Sequence, residues 1–349
     1  MRIAVCHPQT PFVSGGAETH TEALVRALRD GGHEAEIVSV AGKWYPPTEL
    51  VHQMGVWRSM DLSESNGLKI DAVIALKFPA YLVRHERKIV WLIHQHRTAY
   101  ELWDHPVYAD LSRQEDGRAV RDIVWEADRV ALGEAKRIFT NSRNVQTRLW
   151  NSLRISSDPL YHPSPMSERL LTMDSGPYGD SILFPSRFEG LKRQNLVVDA
   201  MTLVRSDVKL VLVGRGPDEQ ALRRQIEDLG VADRVSIEVG PSDERLMQLM
   251  LSALAVYYGP YDEDFGYVTL EGFAARRPVV TLEDSGGPLE FVANGETGLV
   301  VASGPRAIAG AFDRLYEDRR LAERLGNAGR ERIASEIPTW PEIVARLLA

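Results

Sequence analysis

The sequence predicts an α/β protein of two doubly wound domains, each a parallel sheet covered by helices, facing a cleft. Three observations lead there. Short apolar, β-rich runs alternate with longer helical patterns along the whole chain. That alternation breaks once, near residues 155–180, and then resumes as a second series. The length of 349 residues also exceeds what a single core usually organises.

In the first half, Arg2–Cys6 reads as a strand and Ala17–Asp30 as a helix. Ala35–Val40 is the next strand, after the Gly31-Gly32 stop signal. Ala72–Leu76, Ile89–Ile93 and Arg137–Thr140 are further strands, with a helical stretch around Arg118–Glu134. Ser156, Ser157, Pro159, Pro163, Pro165, Gly176, Pro177 and Gly179 mark the interval between the halves as a linker. The second series places strands at Ser181–Phe184, Lys209–Val213, Val235–Glu238, Leu254–Tyr258 and Pro278–Thr281. Thr339–Ala349 reads as one short amphipathic helix with Trp340, Ile343, Val344 and Leu347 on one side. The expected domains are therefore 1–165 and 166–335, followed by a terminal helix over 336–349.

Composition narrows the function. The chain is 44% hydrophobic and 26% charged with a formal charge of −8, which argues against nucleic acid as the main partner. A local basic surface touching anionic lipid stays open. The lone cysteine, Cys6, rules out an internal disulfide and sits in the apolar run Ile3–Cys6, where it reads as a small core residue. The N-terminus begins a strand at once, without a charged leader, and no apolar run approaches the roughly 20 residues needed to cross a bilayer. Soluble and cytoplasmic is the default expectation, with peripheral contact at the inner face of a membrane left open.

In open α/β sheets ligands gather beyond the carboxyl ends of strands, so the loops after strands matter most. After the first strand, Gly15-Gly16-Ala17-Glu18 opens a helix. Glycines at such a turn let backbone amides approach an anion, although a simple helix cap accounts for them too. His94 and His96 alternate at another strand end, without a carboxylate or cysteine at ligand spacing. His94 suits a polar contact to a substrate hydroxyl or phosphate, or a structural hydrogen bond.

In the second half, Ser186-Arg187-Phe188-Glu189-Gly190-Leu191-Lys192 follows a strand. A guanidinium fork and an ammonium in one loop can neutralise a diphosphate. Val213-Gly214-Arg215-Gly216-Pro217 is a glycine turn and weak evidence alone. The most informative stretch runs from Tyr261 to Glu271 and leads into a helix through Ala275. If that helix starts near Glu263, Glu271 lies two turns in, about 12 Å further along the axis. Carboxylates so placed can grip two ends of an elongated polar ligand. Asp262-Glu263-Asp264 also fits a D-x-D metal pattern, or acids complementing a helix N-terminus. Further on, Asp284-Ser285-Gly286-Gly287-Pro288-Leu289-Glu290, which starts a short helix, and Asn294-Gly295-Glu296-Thr297-Gly298 read mainly as turn chemistry.

In order and spacing these loops resemble the retaining GT-B glycosyltransferases of family 4, the glycosyl transferases group 1, over nearly the whole chain. The Glu263-x7-Glu271 segment enclosing Phe265-Gly266 is the specific element. The resemblance implies two Rossmann-like domains, the second holding the nucleotide, and a C-terminal helix crossing back to the first. It implies that Arg187 and Lys192 grip the diphosphate, that Glu271 binds the ribose and that Glu263 contacts the donor sugar. Phe265, Gly266, Tyr267 and Val268 then line the donor with Gly214, while Gly15 and Gly16 offer amides to the phosphates and His94 approaches the sugar. Tyr267 departs from a position where many members carry a small aliphatic residue, and Gly272 from an alanine. The run His94–Asp104 is richer in polar and aromatic groups than the usual loop and is expected to help shape the sugar or acceptor pocket.

The implied reaction is transfer from a nucleoside diphosphate sugar to an acceptor hydroxyl of a glycan or lipid-linked acceptor, with retention and without a metal or other cofactor. The rival readings are an epimerase or phosphorylase on the same scaffold, and a non-catalytic sugar-nucleotide-binding module.

Overall fold

The computed structural model describes Met1–Ala349 as two compact units, Met1–His162 with Pro338–Ala349, and Pro163–Ile337. The first contains β1 (Arg2–Cys6), α1 (Gly16–Asp30), β2 (Glu34–Val38) and α2 (Pro47–Ser59). A small hairpin of β3 (Glu64–Ser65) and β4 (Leu68–Lys69) follows, then β5 (Ala72–Ala75), β6 (Lys88–Leu92), α3 (Gly117–Gly133), β7 (Arg137–Thr140), α4 (Arg143–Leu153) and β8 (Asp158–Pro159). The second contains α5 (Pro165–Leu171), β9 (Ser181–Pro185), α6 (Gln194–Met201), β10 (Lys209–Gly214), α7 (Glu219–Asp228) and β11 (Val235–Val239). It continues with α8 (Asp243–Ser252), β12 (Ala255–Tyr257), α9 (Tyr267–Ala274), β13 (Val279–Leu282), β14 (Gly298–Val301), α10 (Pro305–Glu317) and α11 (Arg319–Glu336). The last helix, α12 (Trp340–Leu348), belongs to the first unit.

Each unit is built on a six-stranded sheet, ordered β2-β1-β5-β6-β7-β8 in the first and β11-β10-β9-β12-β13-β14 in the second. Every pairing within them is parallel. Helices cover both faces of such sheets, so central strands such as Ala72–Ala75 and Val279–Leu282 are buried at every residue and read as continuous apolar runs. Strand order reverses between β1 and β5 in the first sheet and between β9 and β12 in the second. At such reversals the loops diverge and leave a crevice beyond the strand ends.

The terminal helix shows why amphipathic spacing is legible. Thr339 and Glu342 form a reciprocal capping box, and Ile343, Val344 and Leu347 are buried with Leu24, Val25 and Leu28 of α1. Its last carbonyls accept hydrogen bonds from Arg137 (3.0 Å, at Arg346) and Arg87 (2.5 Å, at Leu348), satisfying groups a helix end leaves open.

Two expectations need correction. The interval 155–180 is not merely irregular: it carries β8 and the short helix α5, capped by Ser164 and packed on α9. A serine followed by proline starts that helix, and Leu170 buries against the core. The helix after the acidic cluster begins at Tyr267, not near Glu263, so the 12 Å axial estimate does not apply. Asp262 (φ 44°) and Gly266 (φ 90°) lie in left-handed backbone. The amides of Asp262 and Glu263 bond to the carbonyls of Asp284 and Ser285, both at 2.9 Å, which ties the acidic loop to the segment after β13.

Candidate functional site

Within the second unit, four loops meet around the reversal of the sheet. β9 leads into the loop carrying Arg187 and Lys192. There β10 ends at Gly214 so close to it that a Cβ would stand 1.9 Å from the Ser186 carbonyl oxygen. No side chain fits at 214, which gives the glycine turn a packing reason independent of any ligand. Phe188 is fully buried beneath the loop, and Gln194 donates to the Arg187 carbonyl at 2.7 Å.

A short turn over Gly190–Lys192 then aims the Lys192 ammonium at Glu263, Nζ to Oε2 2.6 Å. Lys192 Nζ is also 3.5 Å from the Tyr258 hydroxyl. Both members of the ion pair are largely buried, so the attraction is screened little by water. Burial first, and the neighbouring Glu263 carboxylate second, push the Tyr258 phenol well above its ordinary range.

Arg193 organises these loops. It adopts left-handed backbone (φ 58°), unusual for a side chain with a Cβ, and its guanidinium is buried. It donates to the Gly259 carbonyl (2.8 Å), to the Pro260 carbonyl (2.7 Å) and to both Asp284 oxygens (2.8 and 2.7 Å). The Tyr261 amide bonds to the Leu191 carbonyl at 2.8 Å, and the Gly287 amide to the Glu263 carbonyl at 2.8 Å. The loops after β9, β12 and β13 are thus tied into one frame around Lys192 and Glu263. Sequence reasoning missed Arg193 because it reads as one more cation entering a helix. It also took Asp284–Gly287 for turn chemistry, although this stretch anchors the acidic loop.

Gly266 caps α9. A Cβ there would lie 3.0 Å from Tyr258 Cε1 and 3.1 Å from Pro288 Cγ, besides the cost of φ 90°. It lets the buried Phe265 turn under while Tyr267 and Val268 open the first turn, whose amides point out of the helix. Tyr267 meets Phe265 edge-on at 5.9 Å. Glu271, in the second turn, accepts a 2.6 Å hydrogen bond from the Ser164 hydroxyl. Burial raises its carboxyl to about 7, against the opposing effect of that bond. Arg187 pairs with Glu189 at 2.9 Å and is half-exposed. The structure therefore joins Lys192 to Glu263, while Glu271 and Arg187 have other partners. No three His, Cys, Asp or Glu side chains converge as a metal-ligand set.

The first unit presents its own strand-end groups. Gly15 caps α1, which begins at Gly16. In that first turn Glu18 meets His7 Nε2 at 3.2 Å and Lys77 Nζ at 3.7 Å. Burial favours the neutral Glu18 acid, but the His7 hydrogen bond and the Lys77 charge outweigh it and bring the carboxyl to about 2. His94 lies past β6, its Nδ1 donating to the Gln95 carbonyl at 2.7 Å. Burial brings His96 down to about 4, and Thr98 Oγ1 stands 3.1 Å from its Nε2.

The aromatic run after His94 turns partly inward. Tyr100 donates to the buried Asp128 at 2.8 Å, and Gln95 donates to the same oxygen at 3.4 Å. Arg121 stacks over Trp103 and Trp125, 4.3 and 4.5 Å from their centroids. Tyr100 thus serves the core rather than an open pocket.

The glycosyl transferases group 1 family matches residues 179–332, which carry all of the second-unit site except Ser164. The match therefore runs through most of the second unit, which is similar to a group 1 glycosyltransferase domain. The chain is 27% identical to a D-inositol 3-phosphate glycosyltransferase of Acidothermus cellulolyticus, over 90% of this chain and 81% of that protein. It is 27% identical to the alpha-1,3/1,6-mannosyltransferase ALG2 of Dictyostelium discoideum over 45% of this chain, spanning less than half (42%) of that relative. The sucrose-phosphate synthase of Thermosynechococcus elongatus superposes with a TM-score of 0.78 at 16% identity, covering 99% of this chain and 97% of that one. The fold is that of GT-B glycosyltransferases. Within the matched residues the Lys192–Glu263 pair occupies the crevice where the strand order reverses.

Proposed function

We propose that the chain is a retaining glycosyltransferase that moves a sugar from a nucleoside diphosphate sugar to an acceptor hydroxyl, in polysaccharide, glycolipid or other glycoconjugate synthesis. The observation carrying this reading is the Lys192–Glu263 pair at 2.6 Å, set beside the first turn of α9 in a group 1 domain. An ammonium and helix-end amides together suit a diphosphate, and an adjacent carboxylate suits sugar hydroxyls.

In this reading Lys192 and Arg187 meet the diphosphate. Glu263 receives the sugar hydroxyls, and Glu271 with Ser164 receives the ribose. Phe265, Gly266, Tyr267 and Val268 supply backbone at the donor. In the first unit, Gly15, Gly16 and His94 stand at strand ends on the edge that we assign to the acceptor side. The bond from the anomeric carbon to the phosphate oxygen breaks with its electron pair going to the diphosphate. The acceptor oxygen bonds the same carbon from the same face, and its proton passes to the departing phosphate oxygen. Cations placed where that negative charge grows are the main electrostatic contribution, so the reaction is proposed to need no metal.

A thermal-shift panel of UDP-, GDP- and ADP-sugars beside the free diphosphates tests the reading. One base should raise the melting temperature, and nucleoside diphosphate should then be released only when acceptor is added. A panel in which no diphosphate shifts the transition overturns the assignment.

A further inference from the structure

Two loops of the first unit display aromatic side chains to solvent at the carboxyl ends of β1 and β2. Phe12 is fully exposed, Tyr45 is 73% exposed, Trp44 54% and Val13 37%. The loops are stitched together at their base. Gln9 pairs with Ala41 in a parallel bridge, the Gln9 amide bonds to the Val40 carbonyl at 3.0 Å, and the Gly42 amide bonds to the Gln9 carbonyl at 2.7 Å. The Gln9 side chain braces the tip from within, donating to the Thr10 carbonyl at 3.0 Å and the Val13 carbonyl at 2.9 Å.

This display is built at a cost. Phe12 holds φ 65°, a left-handed conformation disfavoured for a side chain with a Cβ, yet its ring has no polar tip to gain from water. Burial elsewhere in the fold does not account for the strain, because nothing in the fold covers the ring.

The charge pattern indicates what covers it. Residues 8–16 carry no charged side chain, and residues 39–47 carry only Lys43. Over the whole first unit the Lys and Arg residues balance the Asp and Glu residues, so the formal charge of −8 lies on the second unit. An apolar tip, a Trp, a Tyr and one lysine with no carboxylate suit the interfacial zone of a bilayer. There indole and phenol rings sit at headgroup depth and a lysine reaches lipid phosphate.

We propose that Phe12, Val13, Trp44 and Tyr45, with Lys43, form a membrane-docking surface for a bilayer containing anionic phospholipid. The inference stands independently of the transfer reaction, and a failure of either leaves the other intact.

The full chain is sedimented with phosphatidylcholine vesicles and with vesicles that also contain phosphatidylglycerol. The wild type should pellet with the second kind, less so in high salt. Phe12→Ser combined with Trp44→Ser should lower the partition about ten-fold or more while circular dichroism and melting stay as in the wild type. Lys43→Gln should lower it only on the anionic vesicles. A second measurement guards against a misfolded variant: brominated lipid should quench tryptophan emission in the wild type, and Trp44→Phe should remove most of that quenching. A wild type that stays in the supernatant with both vesicle types overturns the proposal, as does a double variant that pellets equally well. So does a vesicle-free dimer that the double substitution converts to monomer, since the patch would then belong to a second copy.

Discussion

Arg193 and Asp284, 91 residues apart in sequence, are joined by two parallel hydrogen bonds of 2.8 and 2.7 Å from one guanidinium to both oxygens of one carboxylate. This fork fixes geometry as well as charge. It ties the turn that aims Lys192 to the loop that holds Glu263.

Arg193→Met and Asp284→Asn should each lower glycosyl transfer, and the double variant should lose little more than either alone. Residues in one hydrogen-bond network are expected to show coupling of about 0.5–3 kcal/mol. Arg193→Lys, which keeps the charge but not the fork, should recover only part of the rate. Fully additive losses in the double-mutant cycle would show that the two residues act separately.

Lys192→Ala should reduce kcat by at least about a hundred-fold, the scale of losing one donor to a developing charge, with an unchanged circular dichroism spectrum. It leaves Glu263 largely buried without its cation, so Glu263→Gln in the same background should restore stability but not turnover. Turnover should persist in excess chelator. Activity lost to chelator and restored by manganese would instead assign the acidic cluster Asp262–Asp264 to a metal.

Glu271 should make stability fall as pH rises. Its folded carboxyl titrates at about 7 because burial disfavours the anion, against an ordinary value of 4.5. The protonated form is therefore the one the fold favours. Its contribution is complete below the unfolded value and is lost as pH climbs through about 7, on the order of 1–3 kcal/mol. Melting curves across this window should show the slope, and Glu271→Gln should flatten it. An equal slope in the variant would place its origin elsewhere.

Gly266→Ala should destabilise the second unit by about 1–3 kcal/mol, from a left-handed φ and from contact with Tyr258 and Pro288. Denaturant unfolding measures it directly. A neutral result would mean that the α9 cap relaxes freely.

Much of the architecture was legible in the sequence. Buried parallel strands need apolar, β-branched runs on both faces, so Ala72–Ala75, Lys209–Gly214 and Val279–Leu282 announce themselves locally. The terminal helix shows its buried stripe at Ile343, Val344 and Leu347 for the same reason. The start of α9 was not legible. Local propensity could not foresee that Asp262 and Glu263 would bond to Asp284 and Ser285, and those bonds delay the helix to Tyr267.

By itself the sequence determined the two alternating α/β series, their parallel sheets, the group 1 resemblance, and the fact that Lys192 and Glu263 each follow a strand. The tertiary structure alone decided that these two side chains meet, across 71 residues of sequence. β9 and β12 are neighbours because the crossover connections send β10 and β11 to one side and return the chain on the other. No local pattern encodes that adjacency. Arg193 likewise owes its role to partners that only the folded loops bring within hydrogen-bonding distance.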